Sequence, residues 1–228
     1  MKAISEFSDK LDRSHTNGKV DKELWTDMDL LEANAFYNPA NNSINIIPGL
    51  LTSPFYSDGM SQEVLLGTIG SVIGHEISHA FDTNGAQFDK DGNFANWWTE
   101  EDYKAFQVRA EKLIAFYDDI TVWSGVNVKG KQIQTEAIAD IAGIKVMLEI
   151  AKSIPDFNYK TFFESYALLW RNINTIEFEQ YKMKADPHPL NYLRTNVTLQ
   201  QYDEFIEAYG IKEGDGMYLA PEKRILVW

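Results

Sequence analysis

Residues 75–79, His-Glu-Ile-Ser-His, carry the pattern H-E-x-x-H. On a helix, residues four apart share a face with Cβ atoms roughly 5–6 Å apart, so both imidazoles reach one metal ion. Glu76, one step after the first histidine, is placed to take a proton from a water held at that metal. Five residues alone also fit two surface histidines beside a salt-bridging glutamate, so further ligands must come from elsewhere. A catalytic zinc takes three protein ligands and keeps a position open. Glu136-Ala137-Ile138-Ala139-Asp140, beginning 57 residues after His79, offers carboxylates at i and i+4 on an otherwise apolar segment. Burying two carboxylates there is costly without a positive charge to compensate them. One Zn²⁺ per chain, held by His75, His79 and Glu136, supplies that charge. Asp140 can then accept the free N–H of a zinc-binding histidine and fix its tautomer. Asp82, three residues after His79, is a second candidate for the same role.

Two histidines remain. His188 sits in Asp186-Pro187-His188-Pro189, where flanking prolines stiffen the loop. A histidine so held is a good donor to the oxyanion of a tetrahedral intermediate. Asp186 can keep it in its donating form, and Arg194 can bind a substrate carbonyl or carboxylate. His15, within Arg13-Ser14-His15-Thr16-Asn17-Gly18, reads as a solvated loop residue with no role. Residues 89–93 resemble part of a calcium loop. With Gly92 at its sixth position, however, the first acid and the twelfth-position glutamate are missing, which leaves a turn.

These side chains need helices to position them. Hydrophobic periodicity predicts helices over about 61–81 (carrying the motif), 99–117, 133–150 and 159–178. A fifth starts at Thr198, where Gln201 completes a capping box, and ends before Gly210. Residues 34–37 and 43–47 read as two short strands around a turn-rich loop. The expected fold is mainly α with a small β-sheet, an α+β arrangement. With no repeat, low-complexity run or linker, residues 1–228 read as one catalytic domain.

Composition narrows the alternatives. A chain of 228 residues, 44% hydrophobic and 24% charged, can bury a sizeable core. A net charge of −13 disfavours nucleic acid and anionic membranes as partners. Residues 1–30 are polar and unlike a signal peptide, and no apolar run approaches a membrane span. The absence of cysteine leaves His, Asp and Glu as metal ligands. Compartment stays open between a bacterial cytoplasm and a secreted or cell-surface location.

The chain resembles the neprilysin and endothelin-converting-enzyme family of zinc endopeptidases, including bacterial oligopeptidase-type members. The resemblance runs from about Asp27 to Trp228. Its landmarks, in order, are Asn34-Ala-Phe-Tyr37, Pro48-Gly-Leu-Leu51 with Pro54-Phe55, the Gly74–Asp82 stretch, and Asp91-Gly92 with Trp97-Trp98. Glu136-Ala-Ile-Ala-Asp140, Asp186-Pro-His188 with Arg194, and the terminal Ala220–Trp228 segment follow. The resemblance implies a thermolysin-like gluzincin fold with His75, His79 and Glu136 as zinc ligands and Glu76 as general base. Asp82 and Asp140 would support the histidines, and His188 with Asp186 would stabilise the transition state. Arg194 would contact the substrate backbone. Asn34 and Ala35 would hold an oligopeptide substrate by strand addition. Leu50, Phe55, Val72, Leu169 and Trp170 would line the pocket for a large apolar residue after the scissile bond. Ala137 departs from the family's usual asparagine. Full-length relatives also carry an upstream helical lid, so the alternatives to a complete endopeptidase are a catalytic portion needing that partner and a non-catalytic peptide-binding module.

Overall fold

The computed structural model describes residues 2–16, 18, 32–225 and 227–228. Residues 27–31 and 226 of the sequence resemblance therefore lie outside the described residues. The chain divides into two compact units, Met1–Leu30 and Leu31–Trp228. In the first unit, helix α1 (Lys2–His15) sets Ile4, Phe7 and Leu11 along one exposed face. No helix is expected there from sequence, because so few apolar residues mark it. His15 is helical rather than part of a loop. Arg13 places positive charge in the last turn, where the helix dipole favours it.

In the second unit, β1 (Ala35–Asn38) pairs antiparallel with β2 (Ser43–Ile46), in register from Ala35↔Ile46 to Asn38↔Ser43. Residues 62–81 then form one continuous helix with three changes of pitch. Its pieces are α2 (Gln62–Leu65), a π turn (Leu66–Gly70), α3 (Ser71–Ser78) and a closing 3-10 turn (His79–Phe81). Ser61 opens it, its hydroxyl accepting the Val64 N–H. Thr99 caps α4 (Glu100–Asp118) in the same way, with three acidic residues in the first turn. Helix α5 (Gly130–Ala151) is buried on most of its circumference, as an apolar segment should be at the centre of a helical domain.

Two predicted helices are corrected. The predicted 159–178 helix is broken into α6 (Tyr159–Leu169) and α7 (Ile176–Ala185). Between them lie Arg171-Asn172-Ile173-Asn174-Thr175, and the Thr175 hydroxyl caps α7 by accepting the Phe178 N–H. Side chains of this kind compete with the helix for backbone groups. Thr198 does not start a helix. It is fully buried near the end of α8 (Asn191–Leu199), and α9 (Asp203–Tyr209) begins only after Tyr202. Gln201 instead accepts the Ile225 N–H and donates to the Val197 carbonyl, tying the segment at Ile225 to α8. Gly210, at φ 64°, closes α9 in the left-handed conformation that glycine tolerates.

The protein is thus mainly helical, with one two-stranded sheet among the described residues. Its core wraps α5. Ile138, Ile141, Ile144 and Leu148 meet Phe106 and Leu113 of α4, Phe162 and Tyr166 of α6, and Leu193 and Val197 of α8. No helix among the described residues is long and apolar enough to cross a membrane.

Candidate metal centre

Where α3 packs against α5, His75 and His79 face Glu136. The two imidazole Nε2 atoms are 3.0 Å apart, and Glu136 Oε2 is 3.2 Å from the first and 3.5 Å from the second. Each ring's other nitrogen is engaged. Nδ1 of His75 donates to Asp140 at 2.9 Å, and Nδ1 of His79 donates to Asp82 at 2.6 Å. In neutral rings this leaves lone pairs on both Nε2 atoms, aimed at each other and at a carboxylate oxygen. Glu136 Oε2 is buried and accepts no hydrogen bond. Three electron-pair donors converging on one point need a cation between them. Ligands about 2.0–2.2 Å from a tetrahedral zinc lie roughly 3.3 Å from one another, which these separations match. The residues present therefore fit zinc.

Protons respond to the same field. Burial disfavours charge on His79, but the bond to Asp82 and the nearby Glu136 outweigh it and push its pKa up to about 10. Burial likewise opposes ionisation of Glu136, yet the surrounding imidazoles hold its carboxyl well below the ordinary range. Glu76 goes the opposite way. Burial raises its pKa, and His75 and His79 offset this only in part. Two carboxylates beside one centre thus have opposite proton affinities, as an acid–base site requires. His75, Glu76 and His79 each place a ligand atom within 4.8 Å of the others. Glu136 Oε2 sits between the two imidazoles, and Glu76 and Glu136 both line the larger adjoining cavity.

The supporting carboxylates are firmly held. Asp82 Oδ1 accepts the Asn84 and Gly85 N–H groups at 2.6 and 2.8 Å, leaving Oδ2 for His79. Asp140 is gripped by both arms of Arg194, at 2.9 and 2.6 Å, and the guanidinium stacks 3.6 Å from the Trp170 ring centre. Arg194 is buried and thus holds Asp140 as well as lining the cavity. The sequence offered no signal for that pairing, since 54 residues separate the partners. Thr83 and Thr135 hydroxyls meet at 3.1 Å, a further tie between the turn after the motif helix and α5. Ala137 is fully buried in the core beside Glu136.

His188 Nδ1 and its backbone N–H both donate to Asp186 Oδ1, at 2.7 and 2.9 Å. Its Nε2 is 3.2 Å from Glu136 Oε2. On one side lies a cavity of about 250 Å³ lined by Asn34, Ala35, Leu50, Phe55, Val72, Leu169, Trp170, His188 and Arg194. Every pocket residue expected from sequence lines it, and so does Asn191, which sequence reasoning missed. A second cavity of about 410 Å³ shares Asn34, Ala35, His75, Glu76 and His188, and extends past Phe36, Tyr37 and Thr135. The two form one cleft with Glu76 at its middle. The backbone N–H of Tyr37 approaches the Glu76 carboxylate, so β1 turns its edge without β2 toward the cleft.

A sequence model of Peptidase family M13 matches residues 34–225. The neutral endopeptidase of Lactococcus lactis subsp. lactis is 43% identical over 209 residues, 92% of this chain and 33% of its own length. Human neprilysin is 32% identical over 239 residues, 98% of this chain and 31% of its own. Among solved structures, PepO from Lactobacillus rhamnosis superposes with a TM-score of 0.85 at 37% identity, covering 90% of this chain and 32% of that one. The zinc metalloprotease Zmp1 of Mycobacterium tuberculosis, in complex with inhibitor, gives 0.86 at 30% identity, with 94% and 35% covered. The chain spans about a third of the length of the curated relatives it matches.

Proposed function

The chain belongs to peptidase family M13, and from that premise we propose that it is the catalytic part of a zinc endopeptidase acting on oligopeptides. The observation that carries this reading is the convergence of His75, His79 and Glu136 beside a buried, proton-hungry Glu76 in a two-sided cleft. When bound by those three residues, zinc supplies Lewis acidity, bringing the pKa of a coordinated water to roughly 7 and polarising a carbonyl.

The chain's own residues do the rest. An extended peptide adds to the open edge at Asn34 and Ala35, which presents its scissile carbonyl to the centre. The next side chain enters the cavity of Leu50, Phe55, Val72, Leu169 and Trp170. Such a lining favours cleavage on the amino side of a large apolar residue. Glu76 takes the proton of the attacking water as the new C–O bond forms. It returns a proton to the departing amine nitrogen as the C–N bond breaks. His188 donates from Nε2 to the developing oxyanion while Asp186 holds its other nitrogen. Arg194 braces Asp140, which orients His75. A lid contributed by sequence upstream is the proposed partner of the cleft, since the relatives are about three times as long.

The test is hydrolysis of a ten-residue fluorogenic peptide with a central Gly-Leu bond, with zinc, with a chelator, and with the Glu76→Gln variant. Chelator-sensitive cleavage before leucine, lost in the variant, is expected. Metal-independent cleavage, or none by the zinc-loaded protein, would overturn the reading.

A further inference from the structure

His188 is carried by a segment with few ways to stay in place. Pro187 and Pro189 have no N–H, so the only backbone donor of residues 187–189 is that of His188, and Asp186 takes it. Asp186 holds the Nδ1 side of the imidazole while Nε2 faces Glu136, and Asp186 in turn must be fixed from outside the loop. Two side chains do this from two helices. Gln132 Nε2, on α5, donates to the Asp186 carbonyl at 2.7 Å. Lys182 Nζ, one turn back on α7, lies 3.1 Å from Asp186 Oδ2, opposite the oxygen that serves His188. Gln132 stands one helical turn before Glu136, so the helix that presents the carboxylate to the metal centre also grips the histidine loop.

We propose that Gln132 and Lys182 are positioning residues that lock the Asp186–His188 pair in register with Glu136 across the cleft. This rests on the peptidase reading above. Gln132 clamps the backbone, which sets the distance of the loop from α5. Lys182 occupies the outer carboxylate oxygen, which sets the rotamer of Asp186 and leaves Oδ1 for both His188 donors. Both contacts are half-buried; Gln132 reaches Asp186 from α5 across 54 residues and fixes tertiary position, while Lys182 holds the carboxylate from one turn back at the end of α7. Losing either one leaves zinc binding, base and cavity in place but lets the oxyanion donor swing.

The experiment is a double-mutant cycle with His188. Gln132→Leu and Lys182→Met should each lower kcat about tenfold, in the range of other supporting contacts at such sites. KM should stay within about a factor of two, because only transition-state contacts are lost. Lys182→Arg should restore the rate, since it keeps the ion pair. In a His188→Ala background the same substitutions should cost nothing further, because the group they position is gone. Independently of activity, the low-field imidazole proton that His188 shares with Asp186 should broaden or vanish in the Gln132 and Lys182 variants. Equal losses with and without His188, or an unchanged imidazole signal in both variants, would overturn the inference while leaving the peptidase reading intact. Failure of the zinc-loaded parent to cleave any peptide would overturn both.

Discussion

Gly74 and Gly143 face each other where the motif helix crosses α5. A Cβ on Gly74 would lie 2.9 Å from the Gly143 carbonyl oxygen, and one on Gly143 would lie 2.7 Å from the His75 nitrogen. Backbone is packed on backbone at the step next to the first candidate ligand, and this closeness lets short Asp140 and Glu136 side chains reach His75. Gly143→Ala should therefore push the helices apart. We expect a loss of about 1–3 kcal/mol from overpacking, seen as a fall in melting temperature of about 2–4 °C per kcal/mol for a chain this size. Weakened zinc retention should accompany it. An unchanged melt and full zinc content would mean that the crossing has slack.

Glu76→Gln keeps the shape of the side chain but removes the base. Turnover should fall by on the order of 10²–10⁴, while zinc content, measured by atomic absorption after dialysis, stays at one per chain. Unchanged turnover would assign the proton transfer to another group.

Glu136→Val and His79→Phe each delete one of three converging donors. Both variants should fold and lose zinc on dialysis. Retention of stoichiometric metal in either would refute that residue as a ligand.

Asp140 and Arg194 form a buried pair with matched charges. Arg194→Met alone strands a carboxylate in the core and should cost about 3–5 kcal/mol in urea unfolding. Adding Asp140→Leu should recover much of that stability, since an apolar pair of similar volume is well tolerated there. Zinc affinity should nevertheless stay low, because His75 has lost the acceptor that fixes its tautomer. If stability and zinc affinity recover together, Asp140 has no role in orienting His75.

Val72 lines the same cavity as Trp170 and Leu169. Val72→Phe should shrink it and turn the preference from leucine toward alanine after the scissile bond. A methylene or two in such a pocket is worth roughly 10–200-fold in kcat/KM, so paired Gly-Leu and Gly-Ala peptides give a clear reading. An unchanged ratio would place the specificity pocket elsewhere in the cleft.

The candidate site residues were more legible than the helices that carry them. His75, Glu76 and His79 announce themselves by spacing, and Glu136 with Asp140 by the oddity of two acids on an apolar face. Prolines marked His188. Pairings across long sequence gaps left no such trace: nothing local links Arg194 to Asp140, or Gln132 to Asp186. Helix ends failed where polar side chains altered the backbone. Thr175 caps a helix that periodicity alone would run straight through. Thr198 mimics a cap that burial near the end of α8 denies it. Gly74 and Gly143 read as ordinary glycines until the crossing of two helices gives them a purpose.

The π turn at Leu66–Gly70 works as a phase shifter. Such a turn is in effect one residue slipped into an α-helix, and one residue is worth roughly 100° of rotation about the axis. Everything downstream of it, from Val72 through His79, inherits that rotation as a block. Removing a single residue there would leave H-E-x-x-H intact in the sequence and swing it away from Glu136 in space. The aim of the candidate metal-binding face is therefore set by a miscount of one, made a full turn before the motif begins.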